Sequence, residues 1–181
     1  LCVDFQPKDE VKDPLVGGEN KQSAGMVISL GKFRMVDFGD LTWNKEHDLA
    51  CPRNLVGTID LYVVTHHGQD ISSLPMLVKA MRPRVAVMDN GAKKGAAIPT
   101  FETLKTSPGL QDLWQLHYAE DATDHNMPEQ FIANTGVGGT LMTGVPGETT
   151  PFVIKVAARA DGSFTVTNTR NGFHKEYGPH K

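Results

Sequence analysis

The stretch that decides the fold is IDLYVVTHHGQD, residues 59–70. Its apolar first half is typical of a buried β-strand, which we expect to end at two adjacent histidines, His66 and His67, followed by Gly68. Imidazole is the commonest metal ligand, and a strand end would hold it rigidly. The pattern indicates a candidate metal site, whereas the ordinary alternative is a pair of core or surface histidines.

Strand-like and helix-like segments alternate on both sides of this stretch. AGMVISL and FRMVDFGD, joined by a Gly-Lys turn, predict a hairpin, and SSLPMLVKAM and PTFETLKTS predict helices that flank the short strand RVAVMDNG. Near the C-terminus, FVIKVAARADGSFTVTNTRNG predicts a β-hairpin with an Asp161-Gly162 turn. The predicted class is α/β, with a mixed β-sheet, flanking helices and a C-terminal β-hairpin.

The 181 residues predict a single domain with three parts. Residues 1–23 are a polar arm, residues 24–134 carry the alternating strands and helices, and residues 135–181 form a glycine-rich loop and the closing hairpin. The chain begins at Leu1 without a signal-like segment, so we expect its true start to be missing or removed.

Two further groups of polar residues follow predicted strands. In VDFGDLTW, Asp37 and Asp40 lie on either side of a Phe-Gly pair, where Asp40 either reaches a metal or substrate or caps the next helix. In DATDHNMPEQ, Asp124, His125 and Asn126 lie in a polar loop whose simpler role is to cap a helix beginning near the proline.

The ordered motifs GKFRMVDFGDLTW, IDLYVVTHHG and LVKAMRPRVAVMDNG resemble the C-terminal half of the metallo-β-lactamase fold superfamily. The branch that they most resemble includes the hydrolase domain of the competence protein ComEC and secreted bacterial relatives, and the match covers about residues 20–118. The resemblance implies half of an αββα sandwich, in which two sheets pack face to face with helices outside.

The resemblance also implies a metal-dependent hydrolase. One or two Zn2+ ions, or another divalent metal, would be bound; Asp40 would bridge a pair of ions, and His66 or His67 would be the second ligand from this chain. Adjacent strand residues point to opposite faces, which leaves both histidines open; we favour His66 as ligand and His67 as a supporting or substrate contact. Metal-bound hydroxide would attack an ester, a lactone (one of the acyl-homoserine lactone type included) or a phosphodiester.

The chain departs from the family at its main metal motif, His-x-His-x-Asp-His, which is absent. No two of the seven histidines lie two residues apart: His47, His66, His67, His117, His125, His174 and His180. We therefore expect the C-terminal half of a longer hydrolase, with Zn2+ either bound or absent in the isolated chain. The alternative is a truncated or degenerate, non-catalytic half-domain that serves as a binding or assembly module.

A second departure weakens a ComEC-like nuclease role, the remaining alternative. DNGAKKGAAIP replaces the family's Asn-x-Tyr-Gly-His-Pro run. Lys93, Lys94 and His125 are candidate substrate contacts, although solvated surface residues are the ordinary interpretation. A net charge of -3 makes a nucleic-acid partner unexpected, and no apolar run approaches the roughly 20 residues of a membrane span.

The two cysteines leave two alternatives. Cys2 and Cys51 either form one disulfide, which would favour a periplasmic or secreted location, or remain two free thiols.

The strands are apolar on both faces, so without the other half of the sandwich we expect one bare apolar face. A symmetric homodimer would cover it, or else the arm 1–23 and the segment 135–150 would fold back over it.

Overall fold

The computed structural model describes residues 2–7, 18–136 and 151–179. The predicted arm and the glycine-rich segment therefore fall only partly within the described residues, since 8–17 and 137–150 lie outside them.

A six-stranded mixed sheet forms the centre of the fold. Its strands follow one another in chain order, β1 and β2 are antiparallel, and every later neighbour is parallel. The strands are β1 (Met26–Leu30), β2 (Phe33–Asp37), β3 (Leu61–Val63), β4 (Val85–Met88), β5 (Asp112–His117) and β6 (Ile132–Asn134). The helices are α1 (Trp43–Ala50), α2 (Pro75–Met81) and α3 (Ile98–Lys105).

The prediction of an α/β fold with a mixed sheet and flanking helices is confirmed. The C-terminal segment is larger than the predicted hairpin, because a third strand extends it. The predicted hairpin consists of β7 (Ile154–Ala158) and β8 (Phe164–Asn168), and β9 (His174–Tyr177) pairs antiparallel with β8. The sequence pattern missed β9 because only one of its four side chains, Tyr177, is buried.

The two faces of the large sheet are covered differently. The three helices pack on one face, in a cluster that includes Tyr62, Met88 and Phe101. The three-stranded sheet packs on the opposite face, through a second cluster: Phe33, Leu61, Val85, Trp114, Phe131, Phe164, Val166 and Tyr177.

The expectation that one apolar face of the large sheet would be left bare is wrong. The chain's own C-terminal sheet covers the face that was expected to need a second copy or the folded-back arm. Apolar exposure is concentrated instead on β1, where Met26, Val27, Ile28 and Leu30 are each between 43% and 53% exposed.

Two groups of polar contacts join the small sheet (β7, β8 and β9) to the large, six-stranded sheet. The Arg84 guanidinium donates to a carboxylate oxygen of Asp60 at 2.8 Å and to the carbonyl of Gly178 at 2.6 Å. The Asp112 carboxylate accepts from the Tyr177 hydroxyl at 2.7 Å and from Lys175 Nζ at 2.8 Å. Because both groups of contacts run between the sheets, they fix the orientation of the small sheet against the large one.

The cysteine alternatives are also resolved. Cys2 and Cys51 form a disulfide with 5.8 Å between their Cα atoms, which attaches the first described segment to the end of α1. None of the described helices is long and apolar enough to cross a bilayer.

Asp112→Ala is expected to lower the free energy of unfolding by about 1–3 kcal/mol, because it leaves the Tyr177 hydroxyl buried without its acceptor. Urea denaturation measures the change. Asp48→Ala removes an exposed carboxylate whose lysine partner is three residues away on the same helix, so it should change stability by less than about 0.5 kcal/mol. Equal losses in the two variants would contradict this role for Asp112.

Candidate metal centre

The two histidines lie in a turn beyond the strand. β3 ends at Val63, and Thr65–Gly68 form a 3₁₀ turn in which His66 and His67 both have left-handed backbones, with φ of 56° and 57°. The prediction that adjacent residues point to opposite faces is wrong here, because it assumed an extended strand. Such φ values cost about 1–3 kcal/mol per non-glycine residue and concentrate at functional sites.

Neighbouring loops hold this turn in place. The backbone N–H of His66 donates to the carbonyl of Gly39 at 2.9 Å, and the N–H of Ala96 donates to the carbonyl of His67 at 2.9 Å. Gly95 is required for this approach, since a Cβ there would lie 1.9 Å from the carbonyl oxygen of His67. The histidine turn is therefore fixed against the loops that follow β2 and β4.

Both imidazoles face one carboxylate. Asp40 follows β2 in the adjacent turn; its Oδ2 lies 3.8 Å from His66 Nε2, and its Oδ1 lies 3.5 Å from His67 Nε2. Asp37, the other acidic residue of that motif, accepts the backbone N–H of Gly39 at 2.9 Å. The structure thus brings Asp40, His66 and His67 together, while Asp37 supports their turn.

Hydrogen bonds define which nitrogen of His66 carries the proton. Its Nδ1 lies 3.1 Å from the Ser72 hydroxyl, which donates its own hydrogen to the carbonyl of Leu41 at 2.7 Å. Ser72 must then accept from Nδ1, so Nε2 of the neutral ring carries the lone pair, and it accepts from the Asn20 amide at 3.3 Å. Burial lowers the pKa of His66 and favours this neutral form.

His67 has the same tautomer for a different reason. Its Nδ1 lies 3.1 Å from the backbone carbonyl of Asp89 and 3.2 Å from Oδ2 of the same residue. A carbonyl can only accept, so Nδ1 donates, and in the neutral ring the Nε2 lone pair would face Asp40. Two lone pairs thus approach one carboxylate, an arrangement that is favourable only when a proton or another cation lies between them.

Sequence reasoning missed Asp89, Ser72 and Asn20. Asp89 directly follows β4, the parallel neighbour of β3, and this placement was the available signal because the ends of parallel strands meet at one edge of the sheet. Burial raises the pKa of Asp89, and its Oδ1 is buried without a hydrogen-bond partner among the described residues.

The candidate substrate residues are separated in the structure. Lys94 is close enough for its charge to help lower the pKa of His66. Lys93 instead pairs with Glu120 at 3.5 Å, and His125 Nε2 lies 3.5 Å from a carboxylate oxygen of Glu102 on α3. Of the three predicted substrate contacts, only Lys94 has a described interaction with the histidine turn.

The DATDHNMPEQ loop is closed by its own Asn126, and the helix that it was predicted to cap does not form. The Asn126 side chain accepts the backbone N–H of Ala119 and donates to its carbonyl, both at 2.8 Å. The segment after the proline is a single 3₁₀ turn, Glu129–Phe131.

A buried acid lies behind the histidine turn. Glu46 of α1 accepts the backbone N–H of Leu74 at 2.6 Å and bonds to Thr65, the residue before His66. Burial raises the pKa of Glu46 to about 7. The Thr65 hydroxyl also bonds to the Tyr62 hydroxyl at 2.7 Å, so the turn rests on a buried polar network.

Across residues 2–7, 18–136 and 151–179, no group of three or more His, Cys, Asp or Glu side chains is placed to hold a metal ion. Comparison with known proteins finds no matching family model and no matching curated protein.

Glu46→Gln is expected to flatten the pH dependence of stability. The folded-state pKa of about 7 exceeds the ordinary value of 4.5, so the glutamic acid's contribution is full below pH 4.5 and is lost as the pH rises to about 7. The loss in wild type is on the order of 3 kcal/mol, and it is measured by urea unfolding between pH 4.5 and 8.

The exposed Glu176 provides a matched control, since Glu176→Gln should retain the wild-type slope. A wild-type slope in Glu46→Gln would contradict the assignment of the slope to Glu46.

Proposed function

We propose that this chain is the C-terminal, metal-binding half of a metallo-β-lactamase superfamily hydrolase. The observation that carries the proposal is the approach of two imidazole Nε2 atoms to the Asp40 carboxylate, at 3.8 Å from His66 and 3.5 Å from His67. The motif resemblance supplies the family, and the geometry supplies an independent reason to expect a cation.

The donor set fits Zn2+ in chemistry. Catalytic zinc sites commonly use three nitrogen or oxygen ligands from the protein, and Asp40, His66 and His67 offer a carboxylate and two imidazoles. Ser72 and Asp89 would orient the two rings by holding Nδ1. A Zn2+ ion held there would act as a Lewis acid that activates water.

The site as described is incomplete, which fits a half-domain. Further ligands would come from the missing N-terminal half or from a second copy. We propose an ester, a lactone or a phosphodiester as substrate, with Lys94 as a contact for the negative charge of a phosphodiester. The Cys2–Cys51 disulfide supports an oxidising, extracytoplasmic compartment as part of this proposal.

The second candidate function is a non-catalytic binding or assembly module. The specific observation in its favour is the apolar edge strand β1, all of whose residues are exposed and offer a surface to another chain. Metal content distinguishes the two functions, because a module without catalysis has no need of zinc.

Asp40→Ala is expected to abolish zinc binding, because it removes the carboxylate that both imidazoles face. Metal-free protein is titrated with Zn2+ by calorimetry, and Co2+ substitution gives an independent optical readout of nitrogen and oxygen ligands. His66→Ala should likewise abolish binding, whereas Ser72→Ala and Asp89→Ala should weaken it by about 10- to 100-fold.

Asp48→Ala, an exposed carboxylate on α1, is the matched control and should bind as wild type does. Hydrolysis of p-nitrophenyl acetate and bis-p-nitrophenyl phosphate is measured on the same samples. Equal zinc affinity in wild type and Asp40→Ala would refute the metal assignment, and wild-type protein without zinc affinity would favour the module.

We further propose a homodimer, supported by the exposure of β1 and no longer by a bare sheet face. All five residues of this edge strand are exposed, and its sequence, MVISL, contains no lysine or proline to discourage pairing with another strand. An antiparallel pairing centred on Ile28 would place Met26, Ile28 and Leu30 of both copies on one face of a continuous sheet.

Ile28→Lys is expected to shift the dimer to monomer, because it places a charge at the centre of this pairing. Light scattering over a range of protein concentrations measures the molecular mass. Ile98→Lys is a closely matched control, since Ile98 is 44% exposed and Ile28 is 45% exposed. A wild-type protein that is monomeric throughout, or a dimer that Ile28→Lys leaves intact, would rule out this interface.

A further inference from the structure

A groove of about 760 Å³ lies on the outer surface of the helical layer, between α1, α2 and the segment joined by the disulfide. Pockets for small ligands typically have about 300–1,000 Å³. The residues of the candidate metal centre do not line this groove. It is therefore a separate surface from the one on which the proposed hydrolase function rests.

Three contacts hold the outer wall of the groove in place. The Cys2–Cys51 disulfide joins the wall to the end of α1. The Phe5 ring stacks on the His47 ring with 4.0 Å between centroids, and the Trp43 indole N–H donates to the carbonyl of Gln6 at 3.2 Å. The groove is consequently built before any ligand arrives, which lowers the entropy cost of binding.

The lining combines an apolar surface with charge of one sign. Most of the side chains are apolar, with Trp43 and Met76 among the largest. The charged residues of the lining are Arg53 and Lys79, both exposed cations, and no acidic residue lines the groove among the side chains that the structure describes.

Asn54, a polar residue of the lining, is already engaged. Its Nδ2 donates to the carbonyl of Ala80 at 2.9 Å, and its Oδ1 accepts the backbone N–H groups of Val56 and Gly57. The polar side chains left to meet a ligand are thus the two cations and the neutral amide of Gln6. A ligand complementary to this lining has an apolar body and one anionic end.

We infer that this groove binds an amphipathic carboxylate, such as a medium-chain fatty acid. Its alkyl chain lies against Trp43 and Met76, and its carboxylate pairs with Arg53 and Lys79. Burial of the chain supplies most of the affinity, whereas the cations select an acid over an alcohol of equal length.

The test is a titration of the disulfide-bonded protein with decanoate, monitored by tryptophan fluorescence and by calorimetry. Trp43 lines the groove whereas Trp114 is fully buried, so the fluorescence change should be lost in Trp43→Phe. Decanoate should bind saturably, and decan-1-ol should bind about five- to tenfold more weakly. The double variant Arg53→Gln/Lys79→Gln should lose this preference for the acid.

Lys105→Gln/Lys155→Gln removes the same charge from exposed positions outside the groove and should keep wild-type affinity. Asp40→Ala should also bind decanoate normally, so failure of the metal assignment leaves this result unchanged. The inference is overturned if decanoate shows no saturable binding, if the alcohol binds as tightly as the acid, or if the two double variants behave alike.

Discussion

The hydrogen bond from the His66 backbone N–H to the carbonyl of Gly39 joins the two turns on which the candidate site depends. One turn ends β2 and carries Asp40, and the other follows β3 and carries the histidines. Parallel pairing of β2 with β3 brings both turns to one edge of the sheet, and this bond then sets their distance. A shift in either turn would separate the carboxylate from both imidazoles at once.

The polar groups around the site form layers of decreasing contact with solvent. Asp40 is partly exposed, His66 is nearly buried, and Glu46 behind them is fully buried. Ser72 and Asp89 bind Nδ1 of His66 and His67, respectively. Each ring therefore has only Nε2 left to interact with Asp40. Several of the buried polar residues on the helical side of the sheet, Ser72 and Glu46 among them, therefore support the candidate site.

The α/β class could be predicted from the sequence because strand and helix periods are local signals. The cluster of Asp40 with the histidines could be predicted in part, since both motifs follow segments whose apolar pattern clearly predicts a strand. The left-handed conformation of His66 and His67 could not, because it depends on hydrogen bonds with Gly39 and Ala96, which are distant in sequence. Asp89 was missed for a related reason, since its contact with His67 exists only after β3 and β4 have paired. The strand β9 was not predicted because three of its four side chains are not buried, which leaves no apolar pattern in the sequence.

The polar contacts between the small sheet and the large sheet have a consequence for the order in which the chain folds. Tyr177 meets Asp112 across 65 residues of sequence, and Arg84 reaches Gly178 across 94. Contacts between residues so far apart form late, because the loop between them must close first. During synthesis the apolar face of β3, β4 and β5 stays uncovered until β7, β8 and β9 have left the ribosome. Exposure of such a face during that interval favours aggregation, which makes these three strands important for the yield of folded protein.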